Sequence, residues 1–423
     1  MSIPLALFLT AAVAQANGQT THVWITRAAV ENLPSGDLRD LLADPAQEPM
    51  LVHGTMFPDG GYPIGHPYGE SAHWEPLQTR YLDWIRSTFD LPYDRAAAPH
   101  IAFLMGLGSH GLADQTFDAF YLDRSQRYDA DLGWAEGLSM DEATDFKWAS
   151  LRGTQTVPER WIPDEVLTEI FAQEGIEVDG ETMHQGQGLL ELAIGLVTVT
   201  TSSDGDLSRY EEAFPWATEN LENPDVPGIP DYETEVVASY WLSLWEQLHA
   251  RDPSTLIDRT WPVDGGYGLA TDATSPDARI SIVFQQGLLS AELEPDFFSV
   301  EDSSGTDHPV DIWLYYGDHS HIIHLVPRAD WPADDWMTVT LRAGLPTRTG
   351  ATLATNHVFS VSTQPPPEDS GTLPESTPTT DAPTKRRCGC TLGAATGVPL
   401  QWFWLACSGP LICMRRRPHR GPS

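Results

Sequence analysis

Apolar residues return every three or four positions through most of the first 250 residues. The runs 24–33, 77–88, 100–122, 141–151, 164–173, 188–198 and 234–249 each put an apolar stripe along one face and are predicted as α-helices. Gly/Pro-rich stretches between them, such as 56–70 and 202–230, read as loops. Near Thr255 the period changes from helical to alternating. Short runs at 279–284, 311–315, 321–326, 337–341 and 358–361, separated by turn residues, are predicted as strands of a β-sandwich.

Both ends differ from this body. Residues 1–16 hold an apolar run, 3–13, followed by Ala14-Gln15-Ala16, and read as a signal peptide. Residues 364–387 are rich in Pro, Ser and Thr, cannot bury a core, and read as an extended linker. The segment 388–414 has no charged residue and lies between Lys385-Arg386-Arg387 and Arg415-Arg416-Arg417, so it is expected to span a membrane or act as a sorting segment, with 415–423 a basic tail. The chain is thus expected to be multidomain: a helical domain at 17–254, a sandwich at 255–363, and a C-terminal anchor. Export follows from both ends, to the cell surface or outer membrane, or with release from it.

Charge narrows the partners. The chain has 24 basic and 60 acidic residues, a formal net charge of −36. Such a surface repels double-stranded nucleic acid, whose affinity comes mainly from neutralised phosphates. A phosphate-cleaving site in this chain needs local positive charge, which bound metal ions supply. All four cysteines lie in the last 36 residues, so no disulfide holds the body together.

His110, Asp114 and Asp118 are spaced by four and fall on one helical stripe among apolar neighbours. Charges so placed need compensation, and imidazole with carboxylate is a metal-ligand set. Asp141 and Asp145 repeat the i, i+4 spacing. Upstream, Asp59 sits in "MFPDGGY", His73 in "ESAHWEP" and His22 in "THVWITRAAV". Taken singly, each has a plainer reading: a surface helix pair, a turn aspartate, a helix cap.

Together and in this order, His22, "PDGGY", "HW" and H-x-x-x-D in an apolar helix resemble the zinc-dependent phospholipase C family over roughly residues 20–150. The wording is most similar to the branch containing glycosylphosphatidylinositol-specific phospholipase D, and the S1/P1 nucleases are more distant relatives. The resemblance implies an all-α domain with zinc ions in a cleft. Asp59, His73, His110 and Asp114 would hold one zinc. His22 would hold a second, bridged by Asp114 and joined by the amine of Asn17, the first residue after cleavage at Ala16. Asp118, Asp141 and Asp145 would form a third site. Its three carboxylates depart from the family's histidines and suit a harder divalent ion, or weaken the site. Asp141 and Asp145 can equally be solvated surface acids. Asp59 would orient or deprotonate a metal-activated water, and Phe57, Tyr62 and Trp74 would meet lipid or belong to the core. "LVP", "VTLRAGL" and "FSVST" in 255–363 resemble immunoglobulin-like modules of bacterial surface proteins. Cys-Gly-Cys, the apolar run and the arginine cluster are similar to myxobacterial C-terminal sorting tags.

Two other signals are set aside. Residues 106–111 match G-x-G-x-x-G, but within a helical pattern and with no preceding strand. His319, His321 and His324 are expected to be exposed strand and turn residues. Three functions stay in play: a phosphodiesterase acting on phospholipid or glycosylphosphatidylinositol-like substrates at a membrane surface, an S1/P1-like nuclease, and a non-catalytic surface or adhesion protein. No protein partner is indicated.

Overall fold

The computed structural model describes residues 18–200, 204–253 and 255–367. Asn17, the expected signal peptide, most of the linker, the apolar segment 388–414 and the basic tail lie outside them. The described helical and sheet regions belong to one compact unit.

The helical region comprises α1 (Gln19–Asn32), α2 (Asp37–Leu42), α3 (Glu48–Met56), α4 (Tyr68–Ala72), α5 (Glu75–Thr88), α6 (Ala98–Thr116) and α7 (Asp123–Tyr128). After these come α8 (Gly133–Glu136), α9 (Met140–Arg152), α10 (Asp164–Gln173), α11 (Gly180–Thr200), α12 (Asp204–Ala213), α13 (Pro215–Asn220) and α14 (Pro230–Leu248). Every residue of α6 from Ile101 to Thr116 is buried, the pattern of a helix surrounded on all sides. Its apolar side chains Ile101, Phe103, Leu104 and Leu107 share a core with Leu51 of α3, Leu77 and Tyr81 of α5, and Trp241 and Leu244 of α14. At its end the chain widens into a π-helical turn, Phe117–Leu122, before α7 begins.

The stretches read as loops contain structure. A 3₁₀ turn at Pro58–Ile64 lies within 56–70, and α12 and α13 lie within 202–230. Short helices with Gly and Pro have little periodicity of their own. Phe214, Ala217 and Leu221 are ordered by a satellite core with Trp148 and Tyr210.

The sheet region holds β1 (Ile257–Trp261), β2 (Ile280–Phe284), β3 (Phe298–Glu301), β4 (Val310–Leu314), β5 (Ile322–Pro327), β6 (Trp336–Leu341) and β7 (His357–Ser362). One antiparallel sheet runs β1-β2-β5-β4 and the other β3-β6-β7. Ile280, Ile282, Ile323 and Leu325 of the first sheet share a core with Val300, Val339, Leu341 and Val361 of the second. The alternate residues Val283 and Ile322 belong to the helical core instead. Strands β2 and β5 therefore bury both faces, one against the opposite sheet and one against helices.

This corrects the expectation for the histidines. His321 and His324 are buried, and His319 is half-buried. The alternating pattern suggested one solvent face, but that face carries the helical region. His324 packs edge-on against Phe120 at 5.6 Å and accepts or donates a 2.7 Å hydrogen bond with Ser281 Oγ.

Among the described residues, no helix is long and apolar enough to cross a membrane.

Candidate metal centre

Four segments converge on one buried group of imidazoles and carboxylates. Helix α9 sets the first. Its N-cap Ser139 accepts from the Glu142 N–H at 3.2 Å, and one turn further on Asp145 faces the amino end of α1. The Asp145 carboxylate accepts from the N–H groups of Thr20 (3.2 Å) and Thr21 (2.7 Å) and from the Thr21 hydroxyl (2.8 Å). An anion there satisfies otherwise unpaired donors and matches the helix dipole. It also fixes the first turn of α1, and with it His22. Replacing Asp145 by alanine is expected to destabilise the fold by about 2 kcal/mol, the upper range for a lost helix cap. The check is a lower urea midpoint at an unchanged slope.

The 3₁₀ turn delivers Asp59. A Cβ at Gly61 would lie 2.3 Å from the Gly69 nitrogen, and one at Gly186 would lie 2.0 Å from the Gly60 carbonyl oxygen. The glycines of "PDGGY" thus admit α4 and α11 against the turn. His73 follows α4, and its Nδ1–H donates to the Gly69 carbonyl at 2.6 Å. That bond leaves the Nε2 lone pair free for a metal. Gly111 of α6 gives His73 room, since a Cβ there would meet the His73 carbonyl oxygen at 2.0 Å. His110 and Asp114 come from α6 itself.

Around His73 and His110 the spacing is tight. The two Nε2 atoms lie 3.1 Å apart. Asp59 Oδ1 is 3.2 Å from His73 Nε2 and 3.6 Å from His110 Nε2. Asp114 Oδ2 is 3.6 and 3.3 Å from the same atoms. Ligands about 2.0–2.1 Å from a tetrahedral ion are separated by roughly 3.3 Å. Five of the six edges of such a tetrahedron are therefore in place. The other oxygen of Asp114 faces His22, with Oδ1 2.8 Å from Nε2. His22 stacks on His110 at 4.0 Å and groups with Asp59 and His110 as a second set of ligand atoms. Among the described residues, buried His22 Nδ1 and His110 Nδ1 have no hydrogen-bond partner. Two facing imidazole nitrogens between two carboxylates need a shared cation, so these residues fit a metal ion.

The electrostatics agree. Burial alone would raise the Asp59 and Asp114 carboxyls, yet the neighbouring imidazoles hold both well below the usual carboxylate range. Burial opposes charge on His110, but Asp114 and Asp59 together push it up to about 10. His22 is lowered by burial and by its neighbour His110. Asp59 is the most accessible of these ligands, with its side chain 17% exposed and Gln19 Nε2 donating to its second oxygen.

Asp118, Asp141 and Asp145 are all buried rather than solvated. The structure does not gather them into either ligand set. Asp145 caps α1, and Asp118 accepts a hydrogen bond from the hydroxyl of Tyr316 in the sheet region. Burial raises the Asp118 carboxyl well above its ordinary value. Phe57 is core, against Tyr68 and Phe103, whereas Tyr62 and Trp74 border the site through shared bonds to Glu70, each at 3.1 Å. Sequence reasoning missed Gln19 and Tyr316; Tyr316 is 198 residues from its partner, and nothing near it in the chain marks the contact.

No protein-family model matches the chain. Phosphatidylinositol-glycan-specific phospholipase D from Rattus norvegicus is 31% identical over 117 residues, covering 25% of this chain and 14% of that protein. The Homo sapiens protein of the same name is 32% identical over 117 residues, with the same coverage of 25% and 14%. The chain is distantly related to these proteins over about a quarter of its length, and the match spans only 14% of theirs. Among solved structures, CopC from Methylosinus trichosporium OB3b superposes with a TM-score of 0.18 at 11% identity, over 26% of this chain and 94% of that one. The S-layer protein rSbsC does so with a TM-score of 0.22 at 10% identity, over 82% of this chain and 45% of that one. Geometric agreement this low bears on neither fold nor function.

Proposed function

We propose that this chain is an exported, zinc-dependent phosphodiester hydrolase acting on phospholipid or glycosylphosphatidylinositol-like substrates at a membrane surface. The observation that carries the reading is the four-ligand set Asp59, His73, His110 and Asp114, with Asp114 turning its second oxygen to His22. Imidazole with carboxylate suits zinc. Two ions fit this set, and a third position among Asp118, Asp141 and Asp145 is assigned to a weaker or different divalent ion. Divalent ions bound there would polarise the phosphoryl oxygens, lower the pKa of water and offset the acidity of the chain. Asp59, the most accessible ligand, would orient or deprotonate the attacking water. His73 and His110 stay fixed by the Gly69 carbonyl and by stacking on His22.

The phospholipase D relatives favour a lipid-linked phosphodiester over nucleic acid, as does the net charge of −36. Residues 17–254 would form a phospholipase C-like domain, 255–363 an immunoglobulin-like one, and 388–414 the anchor. Cleavage after Ala16 would bring the amine of Asn17 within reach of the His22 ion. Support comes from Gln19, two residues on, which already contacts Asp59.

Elemental analysis of the purified protein, with hydrolysis assays on phosphatidylinositol and on single-stranded DNA, tests the reading. About two zinc ions per chain with lipid hydrolysis supports it. Hydrolysis of DNA alone favours the nuclease, and a metal-free, inactive protein favours a non-catalytic surface role.

A further inference from the structure

Helix α6 ties the metal cluster to the sheet region within two turns. Asp114 is a ligand, and the next residue, Gln115, accepts from the backbone N–H of His321 at 2.7 Å. One turn on, about 6 Å along the axis, Asp118 accepts from the Tyr316 hydroxyl. Glu75, one residue after Trp74, accepts from the Gly287 N–H at 2.9 Å and pairs with Arg348 at 3.4 Å. The sheet region is thus bonded to the segments that hold His73, His110 and Asp114.

The contact centres on the turn between β4 and β5. Trp74, adjacent to the ligand His73, lies against two rings of that turn. Its ring is 4.8 Å from that of Tyr316, and it stacks on His319 at 4.8 Å with planes 16° apart. The turn is held in shape. Gly317 takes a left-handed φ of 56°, the Tyr316 N–H donates to Ser320 Oγ at 2.9 Å, and Asp318 accepts from the Ser290 N–H at 2.8 Å. Glycine takes that φ at the least cost. Tyr62, Tyr316 and His319 are half-buried beside the buried ligands. The second oxygen of Asp118, itself 3% exposed, has no hydrogen-bond partner among the described residues.

We propose that residues 315–319 form a wall of the substrate site, so that the sheet region selects the alcohol portion of the phosphodiester. Tyr316 is a positioning residue that holds Asp118. His319 and Trp74 supply the surface against which the alcohol portion packs. The proposal rests on the reading of the His/Asp cluster as a phosphodiesterase centre. It adds that the helical region alone is an incomplete enzyme.

The test compares Tyr316→Phe and His319→Ala with wild type in the full chain. The substrates are phosphatidylinositol in mixed micelles and the small diester methyl 4-nitrophenyl phosphate. Calorimetric titration with inositol 1-phosphate gives a readout independent of turnover. Both variants are expected to raise KM for phosphatidylinositol and weaken inositol 1-phosphate binding about tenfold, the scale of one lost specific contact. In His319→Ala the loss on phosphatidylinositol should exceed any loss on the small diester, with metal content at its wild-type level, whereas Tyr316→Phe, which takes the donor from buried Asp118, should also lower the thermal midpoint. Unchanged constants for both substrates would overturn the proposal. So would an equal loss on both together with lost metal, which would make Tyr316 only a support for the ligands. A wild-type protein that hydrolyses neither diester removes the phosphodiesterase reading, and this inference with it.

Discussion

Asp114→Asn is expected to cost about 10³-fold in kcat/KM for phosphodiester hydrolysis, roughly 4 kcal/mol of transition-state stabilisation, and to leave the protein with less metal. The asparagine keeps the shape and loses the charge. Asp114 is the carboxylate that faces both ligand sets, with His22 at 2.8 Å from one oxygen and His110 at 3.3 Å from the other. With one oxygen turned to each side, its loss weakens two positions through one substitution. Elemental analysis and steady-state kinetics on the same preparation decide the matter. Wild-type metal stoichiometry in the variant would remove Asp114 from the ligand set, whatever the activity. The fold itself should survive, because the Asp145 cap and the apolar surroundings of α6 are untouched.

Stripping the metal should have the largest effect on stability, and that effect should depend on pH. A ligand present at a thousandfold its Kd stabilises the native state by about 4 kcal/mol, and a chelator removes that contribution. The stripped protein then relies on protons. His110 is held at about 10, above the ordinary value for histidine. A group raised in the folded state adds stability that is complete below its unfolded pKa and lost as pH climbs through the folded one. The stripped protein should therefore lose stability between about pH 6.5 and 10, while the loaded protein, with a cation in place of that proton, should not. In acid the signs reverse. Asp59 and Asp114 are depressed and His22 is lowered, so their contributions are present at neutral pH and lost as pH falls. Metal addition at pH 8 should release about one proton per chain. Urea melts of loaded and chelated protein across this range, with proton release followed in weak buffer, give both numbers. Parallel stability curves for the two forms would refute the assignment of His110 as a shared ligand.

Much of the helical region was legible because its apolar periodicity is long and regular. The runs at 77–88, 164–173 and 234–249 correspond closely to α5, α10 and α14. Short elements were not, since α4 and the Pro58–Ile64 turn are shaped by glycine contacts with neighbours distant in sequence. The strand pattern was legible in position and misleading in burial. His321 and His324 looked outward only because the alternation does not reveal a helical layer behind the sheet. In the site, the i, i+4 pair on α6 and the order of "PDGGY" and "HW" pointed to residues that the structure brings within 3.1–3.6 Å of one another. The same spacing rule suggested a third group at Asp118, Asp141 and Asp145. Spacing did not reveal that Asp145 also caps α1 or that Asp118 also accepts from a tyrosine 198 residues away.

The widened turn at Phe117–Leu122 separates two sets of obligations on one continuous rod. Upstream, His110 and Asp114 face the His/Asp cluster, whereas downstream Asp123 and Arg124 pair with Arg279 and Asp277 of the sheet region. Each residue of an α-helix rotates its successors by about 100°. The additional residue of a π turn therefore works as a phase adjuster, setting the angle at which the later contacts emerge without altering the earlier ones. Removing one residue from this turn would swing Asp123 and Arg124 by about 100° while His110 and Asp114 keep their places.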